Sequence, residues 1–282
     1  MIYSDTSVMT FDGEHVTIPP YKSQSCSYLL THEYVNNSFT ITSRQNSIFV
    51  RVRNGDNIVL ENTGIVYING KMVELPQQMQ DFNITRVVPF VYIDTSSGLN
   101  IRCDMDHNLC LFNVPSWYHN RVVGLLGNMD GEKSNDWRGM KKNFVPSAIT
   151  LADSWEVSGS SKCLHTPFVQ DTNSNQFDTS SDNQHDTMMI SIRPKKIANN
   201  KCSEMNYNKD NKHCMKLDRE YESQLSRCFN VIDPTDFRDV CLHEICGKKC
   251  SDNQCGCNIF AAYIQRCEKA GINISMPREC CK

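Results

Sequence analysis

Apolar and other positions alternate through much of the first 165 residues. In Ile48-Phe49-Val50-Arg51-Val52-Arg53 every second position is aliphatic, the period that places one set of side chains on one face of a strand. Ile65-Val66-Tyr67-Ile68 and Met72-Val73-Glu74-Leu75 flank Asn69-Gly70, a pair that suits a two-residue hairpin turn because both residues tolerate positive φ. A second hairpin is predicted from Asn100-Ile101-Arg102-Cys103 to Cys110-Leu111-Phe112-Asn113, around the polar turn Asp106-His107-Asn108. That register would set Cys103 opposite Cys110. Long helical periodicity is missing here, so antiparallel β structure is the predicted class.

The pattern then lapses. Between Gln170 and Asp186 the only large apolar residue is Phe177, too little burial to offset the entropy of ordering, so 166–200 reads as a polar flexible linker. Arg193-Pro194-Lys195-Lys196 within it reads as a solvated basic run, with a processing site as the sharper alternative. In 201–282 the period becomes helical. Asp233 is placed to cap a helix whose first position is Pro234, with Phe237, Val240 and Cys241 on one face. Phe260 to Cys267 predicts a second helix ending near Gly271. The expected fold class is therefore mainly β: an antiparallel β domain over 1–165, then a small, mostly α-helical, disulfide-rich module.

Cysteine usage supports that division. Of 15 Cys, only Cys26, Cys103, Cys110 and Cys163 precede residue 200, and the other eleven fall between Cys202 and Cys281. Such density marks a secreted module held together by disulfides. The alternative, zinc held by Cys246, Cys250, Cys255 and Cys257, lacks a clean paired C-x-x-C and leaves seven Cys in that segment unexplained. Three sequons, at Asn36, Asn83 and Asn273, agree with secretion and predict glycosylation. The first five residues, Met1-Ile2-Tyr3-Ser4-Asp5, have neither the basic nor the apolar part of a signal peptide, so the expectation is a piece of a longer secreted chain. No apolar run reaches transmembrane length. A net charge of −3 and a pI of about 6.2 give no general electrostatic reason to bind nucleic acid.

The densest chemistry lies in Gly124-Leu125-Leu126-Gly127-Asn128-Met129-Asp130-Gly131-Glu132-Lys133-Ser134-Asn135-Asp136-Trp137. Closely spaced Asp and Asn supply the oxygens that a hard cation takes, and glycines let the backbone turn between them. The spacing is not that of an EF-hand. Taken alone, it suits an Asp/Asn/Gly surface turn as well as a calcium site. Hydrolytic zinc chemistry is excluded at His32-Glu33 and His243-Glu244, because positions 36 and 247 are Asn and Gly rather than the second His of H-E-x-x-H. Trp117, Trp137 and Trp155 are expected in the core. Nothing in the sequence names a catalytic residue or an organic cofactor.

Thr10-Phe11-Asp12-Gly13, Cys26-Ser27-Tyr28-Leu29-Leu30, Gly124 to Gly131 and Ala152-Asp153-Ser154-Trp155-Glu156-Val157 together resemble the von Willebrand factor type D domain. Cys228 to Cys241, Ala261-Ala262-Tyr263 to Cys267 and Met276-Pro277-Arg278-Glu279-Cys280 resemble the eight-cysteine module that commonly follows it. The resemblance implies a Cys26–Cys163 disulfide and a structural calcium at Asn128, Asp130, Asn135 and Asp136, with the Glu132 carbonyl and Asp12 as weaker ligands. Eleven Cys exceed the family's eight, and odd parity leaves one free or paired elsewhere. Multimer-forming relatives carry C-G-L-C-G where this chain has Val123-Gly124-Leu125-Leu126-Gly127, so the vicinal dithiol needed for disulfide exchange is missing.

Trp117-Tyr118 ahead of Gly124-Leu125-Leu126-Gly127 is similar to the C-terminal region of apolipophorins, members of the large lipid transfer protein family. That resemblance implies a non-enzymatic region of a secreted, lipid-carrying hemolymph glycoprotein. Its expected partners are other parts of a larger chain and a cell-surface receptor. The alternative is an adhesion, mucin-like or clotting module that self-associates.

Overall fold

The computed structural model describes residues 1–4, 7–17, 26–44, 47–158, 214–245 and 256–280. Its early strands are β1 Ile2–Ser4, β2 Ser7–Met9, β3 His15–Thr17, β4 Cys26–Glu33, β5 Phe39–Arg44, β6 Ser47–Val52, β7 Asn57–Glu61 and β8 Val66–Ile68. They continue as β9 Lys71–Val73, β10 Gln77–Gln78, β11 Phe82–Val87, β12 Phe90–Thr95, β13 Asn100–Asp104, β14 Leu109–Asn113, β15 Val122–Val123 and β16 Glu156–Ser158. The α-helices are α1 Ala148–Ser154, α2 Thr235–Ile245 and α3 Cys257–Lys269.

The strands form two antiparallel sheets. One runs β10-β11-β12-β13-β14-β1-β2-β3, the other β15-β4-β5-β6-β7-β8-β9 with β16 also on β4. Successive hairpins account for most of the order, as short connections favour. At Asn69-Gly70 both residues have positive φ, 51° and 79°, and β8 folds back on β9 there. Ile41, Val50 and Ile58 of one sheet and Ile84, Ile93 and Ile101 of the other belong to a single buried core. The alternation along β5 to β8 exists because one face of that sheet meets the core and the other meets solvent.

Strand β14 breaks this rule. Cys110 and Phe112 face the sandwich core, whereas Leu109 and Leu111 join Met9 and the helical residues Phe237, Phe260 and Tyr263 in a second core. The C-terminal module therefore packs on the back of the first sheet. Across that seam, the rings of His15 and Phe237 meet edge to face at 4.8 Å, and His107 Nε2 lies 3.4 Å from the Cys280 carbonyl. Lys269 Nζ donates to Asn113 Oδ1.

Inside the module, the Asp233 carboxylate accepts from the Thr235 amide and hydroxyl at the start of α2, as a helix cap does. Tyr263 Oη on α3 donates to the Ile232 carbonyl. Disulfides join Cys214 to Cys241, Cys228 to Cys267 and Cys257 to Cys280. The last corrects the zinc alternative, since a sulfur already bonded to Cys280 is no thiolate ligand. Cys103 and Cys110 are register partners on β13 and β14 and are joined by a disulfide. Cys163, the Cys26 side chain, Cys246, Cys250, Cys255 and the 166–200 linker lie outside the described residues.

Candidate metal-binding loop

The oxygen-rich loop begins where β15 ends. Gly124 has φ 143°, and a Cβ there would come within 2.5 Å of the Leu30 carbonyl oxygen. That close approach lets the Leu125 and Leu126 amides bond to the Leu29 and Leu30 carbonyls of β4. Both leucines are fully buried. At Gly127 the chain turns with φ 82°, and a Cβ there would stand 2.0 Å from Asp136 Oδ1. Only glycine leaves room for this carboxylate.

The Thr10 to Gly13 segment docks onto the same loop. The Phe11 amide bonds to the Leu126 carbonyl. The Asp12 carboxylate accepts from the Asp130 and Gly131 amides at 3.2 and 2.9 Å. Asp12 thus holds the loop backbone. Asp130 organises the side chains: its Oδ2 accepts from Asn128 Nδ2 at 2.7 Å and Asn135 Nδ2 at 2.6 Å, and its Oδ1 from the Glu132 amide. Against a burial penalty that raises it, the bonds from Asn135, Glu132 and Asn128 hold the Asp130 pKa below its ordinary value.

That arrangement commits both amide nitrogens and leaves the amide oxygens unused. Asn128 Oδ1, Asn135 Oδ1 and both oxygens of Asp136 are buried without a hydrogen-bond partner. These four are half of the eight such side-chain atoms among the described residues, and all four accept. Buried polar atoms are normally satisfied. A cluster of acceptors with no donor fits a hard cation, which replaces the missing donors.

Burial pushes the Asp136 pKa up to about 7, and the negative Asp12 and Asp130 add to the effect. The Thr10 hydroxyl and the Asn128 amide favour the anion without closing a hydrogen bond of good geometry. A divalent ion would reverse this balance. Among the described residues no three Asp, Glu, His or Cys side chains converge as a metal site. The fit rests on mixed carboxylate and amide oxygens. The Glu132 carbonyl accepts from the Asn135 amide at 3.3 Å.

The tryptophans divide. Trp137 and Trp155 are buried, with their indole N–H groups on Glu14 Oε1 and the Arg138 carbonyl. Trp117 is 61% exposed, which corrects its expected place in the core. In the 3₁₀ turn Ser116–Tyr118 it is Tyr118 that points inward and donates to the Ser97 carbonyl. His32 and Glu33 are also structural. Nδ1 of His32 bonds to the Thr40 hydroxyl, and the buried Glu33 carboxylate accepts from the Val35, Asn36 and Ser38 amides. Asn36 and Asn273 are exposed, and Asn83 lies half-buried on β11.

The roles of Thr10 and Asp12 are not visible as spacing, because the segments in contact are over a hundred residues apart in the chain. Gly127 lies only nine residues from Asp136, but the need for its missing side chain shows only once the loop is folded. The sequence signal that marks them is an order of motifs.

Comparison with known proteins places the two domains in families. A family model described as the von Willebrand factor type D domain matches residues 1–142, and one described as the C8 domain matches 213–282. The chain is 24% identical to the apolipophorins of Locusta migratoria over 279 residues, covering 96% of this chain and 7% of that protein. It is 26% identical to Mucin-2 of Rattus norvegicus, over 95% of this chain and 16% of the relative. Alpha-tectorin of Mus musculus is 24% identical over 78% of this chain and 9% of its own length. The chain thus spans a small part of each relative.

Proposed function

Because this chain belongs to the von Willebrand factor type D domain family and carries a C8 domain behind it, we propose that it is a non-enzymatic structural and interaction region of a larger, secreted lipid-carrying glycoprotein of the apolipophorin kind. One observation carries the choice over a self-associating module. Val123-Gly124-Leu125-Leu126-Gly127 has no sulfur, and its leucines are sealed in the core with their amides bonded to β4. Disulfide exchange needs an exposed thiolate and a resolving partner there. Among the described residues no helix is long and apolar enough to cross a membrane.

The test is non-reducing electrophoresis of the full-length protein from its native fluid, with lipid analysis of the same fraction. Monomer-sized bands that copurify with lipid are expected. A polymer ladder that collapses on reduction would favour the self-associating reading, which the mucin and tectorin similarities support.

Within this role the loop serves as a structural calcium site. Asn128, Asn135 and Asp136 supply the oxygens, while Asp130 and Asp12 hold the frame. Bound calcium would neutralise buried negative charge and tie the loop to the Thr10–Gly13 segment. Calcium is expected to raise the melting temperature of chelator-stripped protein, by the equivalent of about 2.7 kcal/mol at a hundredfold excess over Kd. Asp136→Asn should lose that response without being less stable in the stripped state, since it removes an unpaired buried charge. Identical melting of stripped wild type with and without calcium would sink the assignment.

A further inference from the structure

A cavity of about 270 Å³ lies where the turn after β4, the turn after β12 and the 3₁₀ turn Ser116–Tyr118 meet. Asn36, Arg53, Asp81, Trp117 and Arg121 are among its lining residues. The Trp117 ring abuts Gly98, where an added Cβ would come within 2.7 Å of Trp117 Cζ2. Most of the ring remains open. Arg53 and Arg121 are exposed, and among the described residues their guanidinium groups have no ion pair. Asp81 Oδ1 accepts from the Ser96 hydroxyl. Two guanidinium groups thus offer free donors beside an open aromatic face, with the Asp81 carboxylate as an acceptor in the same lining.

At the rim stands Asn36, the acceptor position of a sequon. Its side chain is exposed and makes no hydrogen bond among the described residues. Its backbone is fixed: the amide donates to both oxygens of buried Glu33. The same turn is tied to the segment that carries Trp117, because the Tyr34 amide bonds to the Arg121 carbonyl and Tyr34 Oη donates to the Asn120 carbonyl. Asn36 is thus held at a set position relative to the indole. The other two sequon asparagines do not line this cavity.

We propose that this cavity seats the first sugar of an N-linked glycan on Asn36. The sugar ring stacks on Trp117, and its hydroxyl and N-acetyl oxygens accept from Arg53 and Arg121. Polarised C–H bonds of a sugar complement the negative face of an indole, and guanidinium groups offer donors only, matching an acceptor-rich ring. Such contacts are individually weak. Covalent attachment makes the encounter intramolecular, so a high effective concentration replaces intrinsic affinity. The volume suits one sugar ring rather than a larger ligand. This inference rests on the secreted-glycoprotein reading and adds a packing role for one glycan.

The test uses the full chain expressed through a secretory pathway, with site occupancy mapped by mass spectrometry. Occupied Asn36 is expected, and the enzyme that cleaves the Asn–sugar bond should release its glycan from the native protein more slowly than that of an occupied neighbouring sequon. Trp117→Ala should raise the Asn36 release rate several-fold and leave the other site unchanged, while Trp117→Tyr, which keeps a stacking face, should restore protection. Proton NMR should show upfield-shifted sugar-ring signals in wild type that vanish in Trp117→Ala. Glycan on Asn83 or Asn273 with none on Asn36 would overturn the seat but leave the secreted reading standing. Absence of glycan from all three sites would overturn both. Equal release rates in wild type and Trp117→Ala, with no shifted signals, would overturn the seat alone.

Discussion

Gly127 holds the metal loop together by what it lacks. Its φ of 82° already disfavours a side chain, and the 2.0 Å that would separate an added Cβ from Asp136 Oδ1 leaves no room for even a methyl group. Gly127→Ala therefore has two costs, backbone strain and displacement of a buried carboxylate. Together they should lower stability by about 2 kcal/mol or more, seen as a reduced denaturant midpoint. Gly131→Ala is the control, with φ 90° but nothing within 4 Å of an added Cβ. It should show the strain cost alone and so be the milder change. If both variants lost equal stability, the Asp136 contact would carry no weight.

At the scale of elements, the disulfides differ by the length of chain they close. Cys103 and Cys110 are 7 residues apart, whereas Cys228 and Cys267 are 39 apart. Loop-closure entropy assigns about 2.5 kcal/mol to the short bridge and about 4 kcal/mol to the long one. The long one also holds a module with a small core, so Cys228→Ser with Cys267→Ser should cost more than Cys103→Ser with Cys110→Ser. Denaturant melts of the two double variants measure that order. A reversal would show that the hairpin depends on its bridge more than its ladder hydrogen bonds suggest.

Which elements are legible in the sequence follows from the range of the forces that make them. Hairpins such as β8–β9 are local: alternation chooses the face, and Asn69-Gly70 supplies the turn. The helical character of the C-terminal module is legible for the same reason, from Asp233-Pro234 and the spacing of Phe237, Val240 and Cys241. Strand β14 is legible as half of a hairpin, but its apolar run Leu109-Cys110-Leu111-Phe112 does not show that both faces are covered, because the second partner lies over a hundred residues away in sequence. The ion loop is visible as a composition of Asp, Asn and Gly. Its internal division is not, because which oxygens stay unpaired depends on Asp130 capturing both amide nitrogens. Trp117 fails as a core residue because burial in a 3₁₀ turn depends on which aromatic neighbour turns inward.

For the whole molecule, two histidines give the seam between the modules opposite responses to acid. Burial pushes the His15 pKa from its ordinary 6.5 down to about 3, with Lys133 adding to the effect. Its contribution is complete above about pH 6.5 and is lost as pH falls below that. His107 is held above its ordinary value, first by the hydrogen bond to Asp104 and against the cost of burial. Its contribution is complete below about pH 6.5 and fades as pH rises through the raised value. The His15 shift is the larger of the two, so acid should loosen the seam on balance. Relative to wild type, His15→Gln should shift the change in melting temperature from pH 7 to pH 5 in the stabilising direction and His107→Gln in the destabilising direction. A pH profile unchanged by His15→Gln would remove the histidine from this account.

Strand β14 is a party wall. Cutting the chain behind the first domain would strip the cover from Leu109, Leu111 and Met9 and leave a sticky stripe along the sheet, the sort of surface that drives aggregation. The two domains are therefore expected to fold and unfold as one unit. A calorimetric scan of the intact protein should register their loss as one shared transition.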